Sequence, residues 1–120
     1  MTVSGDVARE RLENERAAAV RQVGELEREF AAIVDSASEG ASGGDDEHDP
    51  EGATVAFERQ HVAALLQRAR AHLAAVEAAE RKIAAGTYGL CDVCGDPIGD
   101  DRLSARPASL TCVRCAKSRR

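Results

Sequence analysis

The chain has no tryptophan, one tyrosine and two phenylalanines in 120 residues. Aromatic rings supply much of the area buried in a globular core. With Phe30, Phe57 and Tyr88 as the whole set, a large core of that kind is not expected. Alanine provides much of the 43% apolar content, and alanine buries little area, a balance that suits a narrow helical seam. Long apolar runs are missing as well. Nothing approaches the roughly 18 consecutive apolar residues of a membrane span. The start, Met1-Thr2-Val3-Ser4-Gly5-Asp6, lacks a basic stretch followed by an apolar one, so no secretory signal is expected and the location expected is cytoplasmic. Lysine occurs twice, at 82 and 117, and cysteine not at all before position 91.

Charge is plentiful but uneven. Residues 1–50 carry 5 basic and 13 acidic side chains (−8), residues 51–90 carry 5 and 4 (+1), and residues 91–120 carry 6 and 4 (+2), which gives the net −5. Binding to a phosphate backbone needs clustered Lys and Arg, so an acidic chain of this kind argues against a general nucleic-acid binder. The small basic tail Arg114, Lys117, Arg119 and Arg120 reads as solvated charge.

Two segments have helical periodicity. Leu12, Ala19, Val23, Leu26, Phe30 and Ile33 follow steps of three and four, with Arg16 as the one polar interruption. Val62, Leu66, Ala69, Leu73, Val76 and Ile83 keep the same spacing. Asp6 is placed to cap the first helix, and Gly86 to end the second in a left-handed turn. Gly24 weakens the first by about 1 kcal/mol. Between them Ser36–Gly52 reads SASEGASGGDDEHDPEG, with Gly43-Gly44 and Asp49-Pro50 as loop signals. The pattern predicts a mainly α fold: a long antiparallel coiled-coil hairpin over 1–86, with helices at about 7–36 and 53–85 and an acidic tip loop at 37–52. Some 30 residues per helix would make a rod about 45 Å long.

The four cysteines stand as Cys91-Asp92-Val93-Cys94 and Cys112-Val113-Arg114-Cys115, with seventeen residues between the pairs. Two C-x-x-C pairs at that separation make a tetrahedral thiolate site, with zinc as its occupant. In a reducing compartment such pairs hold metal in preference to a disulfide. All four positions are filled by protein, so no open site remains for an activated water. The expectation is one structural zinc per chain in a C-terminal finger over 87–120, not a catalytic one. Arg102, Arg106, Arg114 and Lys117 would offset the thiolate charge. Ser104, Ser109 and Thr111 have no base at motif spacing, so no catalytic residues are assigned and no enzyme is expected. His48 reads as a solvent-exposed loop histidine, and His61 and His72, eleven apart on one helix face, as partly exposed flank residues of the hairpin.

The run Gly86-Thr87-Tyr88-Gly89-Leu90-Cys91-Asp92-Val93-Cys94-Gly95-Asp96-Pro97-Ile98, continued by Arg102-Leu103-Ser104-Ala105-Arg106-Pro107-Ala108 and the second cysteine pair, closely resembles the DksA/TraR zinc-finger family. The resemblance implies a hairpin that enters the secondary channel of bacterial RNA polymerase, with acidic tip residues acting near the catalytic Mg²⁺. On it, Asp45, Asp46, Asp49 and Glu51 are the partner-binding tip. Asp46 and Asp49 give the D-x-x-D spacing, with Glu51 where the family has alanine; in the register that starts at Asp49, Asp-Pro matches but Gly52 replaces the second aspartate. Some members work with ppGpp. Of those contacts Arg106 matches, while Ala116 stands where a lysine would be.

The resemblance thus implies a transcription regulator that binds RNA polymerase core, expected to act as a monomer and without reading DNA sequence. The alternative from the same features is a zinc-ribbon adaptor whose coiled coil docks on another protein or on itself.

Overall fold

The computed structural model describes residues 5–41 and 50–118, with side chains described for 5–36 and 52–118. Four helices follow in order: α1 (Gly5–Ala41), α2 (Pro50–Ala85), α3 (Asp100–Ala105) and α4 (Val113–Ser118). α1 and α2 form the helical hairpin expected from the two apolar stripes. Among the described residues the only β pairing is an isolated antiparallel bridge between Leu90 and Pro97. No described helix is long and apolar enough to cross a membrane.

Both long helices run further than the expected 7–36 and 53–85. Ser36–Ala41 reads as a linker, yet Ala37, Glu39 and Ala41 are good helix formers placed between its serines and glycine. Pro50 opens α2, where its fixed φ and missing N–H suit a first turn. Asp6, expected as a cap, lies inside the first turn of α1 instead. There it faces the positive helix end, 3.4 Å from Arg9 one turn on.

The chain divides into two compact units, residues 20–70 and residues 1–19 with 71–120. In the 20–70 unit Leu26 packs with Val62, Leu66 and Ala69, flanked by half-buried Val23, Phe30, Ile33 and Leu65. Arg70 and Glu27 pair at 3.0 Å on its surface. In the other unit Leu12, Val76 and Ala79 are fully buried and meet Ala108 of the finger segment. Burying a leucine or valine side chain is worth roughly 1.5–3 kcal/mol, so Leu12 and Val76 are its main apolar anchors. Arg16, the polar step in the stripe, crosses to Glu80 at 2.8 Å and Glu77 at 3.8 Å on α2, its side chain about half exposed.

Candidate functional site

The segment after α2 starts with a helix stop. Gly86 has φ +78, Gly86 N–H donates to Ile83 O at 3.1 Å and Thr87 N–H to Lys82 O at 2.8 Å. This is the paired closure of a left-handed helix end, which an L side chain would strain. The chain then turns into the first cysteine pair. Gly95, at φ +79, donates its N–H to Cys91 O at 2.9 Å, and Val93 N–H donates to Cys91 Sγ at 3.4 Å. The second pair sits at the start of α4, where Ala116 N–H donates to Cys112 O at 2.9 Å. Asp92 N–H to Leu110 O, at 2.9 Å, ties the two pairs together.

The four Sγ atoms of Cys91, Cys94, Cys112 and Cys115 lie within 4.8 Å of one another. Tetrahedral sulfurs at a Zn–S length of about 2.3 Å would stand about 3.8 Å apart, and Cys94 and Cys112 are 3.8 Å apart. A disulfide needs about 2.05 Å, and all four cysteines are free. The electrostatics agree. The N–H of Cys94, with help from those of Cys112 and Val93, lowers the Cys91 thiol to about 6. The N–H of Cys115 lowers Cys112. Cys115 is pushed up to about 12 by its hydrogen bond with Cys112 and by burial. Sulfurs this close do not all ionise alone, and a divalent cation is the partner that permits it. The donor set fits zinc. When bound, zinc supplies a cross-link between the two loops and no open coordination position.

Around the sulfurs the arrangement departs from expectation. Of the four cations expected to offset the thiolates, Arg114 is the one with a described contact, 3.9 Å from Cys94 Sγ and 3.1 Å from Asp96. The Cys94 sulfur and Asp96 hold its guanidinium pKa above the ordinary value. Arg102 turns away: its Nε donates to Ser109 Oγ and Thr111 O, both at 3.0 Å. Arg106 and Lys117 are exposed, each at the end of a short helix. Lys82 is a contact the sequence did not signal. Its side chain, 14% exposed, donates to Leu90 O and pairs with Asp92 inside the first cysteine loop at 2.8 Å. Tyr88 packs against both the cysteine cluster and the Leu12 cluster and donates its hydroxyl to Pro107 O at 2.8 Å. Burial raises its pKa.

The tip candidates Asp45, Asp46 and Asp49 lie outside the described residues, as does His48. Glu51 falls within α2, but its side chain is outside the description. His61 and His72 are exposed on α2.

Residues 86–119 match the prokaryotic dksA/traR C4-type zinc finger. That matched stretch contains all four cysteines. Relatives extend the likeness beyond it. The protein YteA of Bacillus subtilis (strain 168) is 39% identical over 66 residues, 55% of this chain and 28% of its own length. The RNA polymerase-binding transcription factor DksA of Haemophilus influenzae is 40% identical over 48 residues, 40% of this chain and 33% of its own length. The matched stretches thus span about a third of the curated relatives. The solved transcription factor DksA2 of Pseudomonas aeruginosa superimposes with a TM-score of 0.52 at 28% identity, covering 90% of this chain and 81% of its own.

Proposed function

We propose that this DksA/TraR-type protein is a cytoplasmic transcription regulator that binds RNA polymerase and acts without reading DNA sequence. The observation that carries the reading is the joining of this finger to a two-helix hairpin, the same combination over most of the DksA2 fold. The hairpin, residues 1–86, is the element that enters the secondary channel, and residues 87–120 form the finger at its base. Asp45, Asp46, Asp49 and Glu51 are the groups brought near the catalytic Mg²⁺, since carboxylates are hard Mg²⁺ ligands. One zinc held by Cys91, Cys94, Cys112 and Cys115 keeps the finger folded. Arg106, exposed at the end of α3, is the single candidate contact for ppGpp. The protein performs no chemistry of its own and works as a monomer.

The reading is tested by binding of the zinc-loaded chain to core RNA polymerase, with capture expected at micromolar protein. No capture at that concentration would sink it. Asp46→Asn with Asp49→Asn then separates tip action from simple occlusion of the channel. Promoter output is expected to change while binding is kept.

A further inference from the structure

The 20–70 unit holds a second feature, remote in sequence from the cysteines. A groove of about 510 Å³ lies between α1 and α2, lined by Ile33, Val55 and Val62 together with Glu29, Glu58 and His61. No lysine or arginine lines it. Among the described residues neither Glu29 nor Glu58 has an ion-pair partner, whereas Glu27 on the same unit is held by Arg70. Phe57 is 72% exposed. It does not line the groove itself, but stands one helical turn before His61, which does, a spacing at which side chains are neighbours on a helix face.

This combination is selective in its chemistry. An exposed phenylalanine beside an apolar channel is the kind of anchor that carries much of a protein interface. Covering the groove with a neutral or acidic surface would leave two carboxylates desolvated without a counter-charge, which is costly. A phosphate backbone would be repelled outright. A segment carrying Lys or Arg on one edge and apolar side chains on the other satisfies both demands, in the manner of a helix laid into a groove.

We infer that the groove bordered by Phe57, Glu29 and Glu58 docks a basic, amphipathic segment of the protein partner. The inference rests on the polymerase reading above, in that RNA polymerase supplies that segment. Phe57 contributes the apolar anchor, Glu29 and Glu58 set the charge the segment must carry, and Ile33, Val55 and Val62 receive its apolar side chains. The contact lies on the flanks of the two helices, so it acts on affinity rather than on the tip's effect at the catalytic centre.

The test uses the full, zinc-loaded chain and core RNA polymerase at physiological salt, comparing the unaltered protein with Phe57→Ser and with Glu29→Lys combined with Glu58→Lys. All three positions are exposed, so helix content and zinc stoichiometry are expected to be unchanged and are measured alongside. Each variant is expected to bind at least fivefold more weakly, and the charge-reversed one to show a smaller salt dependence than the unaltered chain. A smaller loss in either variant, with the unaltered chain binding, overturns the groove while leaving the polymerase reading intact. If the unaltered chain does not bind, both fall.

Discussion

At the scale of single residues, the finger segment is held by side chains that have ordinary roles on paper. Tyr88 is one of three aromatic residues in the chain, and it joins two apolar clusters while its hydroxyl reaches Pro107 O. Tyr88→Phe keeps the ring and removes that bond, so a loss of about 1 kcal/mol is expected in urea unfolding of the metal-loaded protein. A change within error would mean the carbonyl is equally well served by water. The four cysteines were legible because their spacing has one good chemical use. Lys82 and Arg102 were not. A lysine in the last turn of a helix is explained by the helix dipole alone, and nothing local signals that it reaches Asp92. Charge alone points Arg102 at the thiolates, whereas the hydroxyl of Ser109 and the carbonyl of Thr111 take its Nε. Ala8 and Ala79 are buried with no signal in the sequence to mark them, since alanine recurs too often in this chain for its period alone to discriminate.

At the scale of elements, the two stripes gave the hairpin because leucine and valine at three- and four-residue steps have one face to bury. The ends were less legible. Ser36–Ala41 has linker composition but enough helix formers to continue α1. Gly24 sits in the interior of α1, where an added Cβ would meet only the flexible end of Arg28, at 3.4 Å. Gly24→Ala should therefore stabilise the helix by about 0.5–1 kcal/mol, seen as a higher midpoint in thermal unfolding followed by circular dichroism. A lower midpoint would show that the contact with Arg28 is not free to yield. Gly86 differs in kind, since its positive φ closes α2 and a side chain there would be strained.

At the scale of the molecule, each compact unit has its own apolar cluster, and only one of them includes the cysteines. Metal analysis is expected to give about one zinc per chain. A strong chelator should release it and loosen Cys91–Ser118, because three of the five buried residues in its cluster, Cys91, Cys112 and Cys115 beside Ile98 and Leu103, are metal ligands. The 20–70 unit keeps Leu26, Val62, Leu66 and Ala69 in contact without any metal ligand. More than half of the helical circular dichroism signal should survive. Loss of all of it would show that the hairpin depends on the finger for its folding.

The scarcity of lysine gives the protein a practical property. Lys82 is engaged by Leu90 and Asp92 and largely covered, while Lys117 on α4 is exposed. Amine-directed reagents under native conditions will therefore discriminate between the two lysines. A fluorophore or photo-crosslinker can be carried at Lys117 without introducing a fifth cysteine that would compete for the metal.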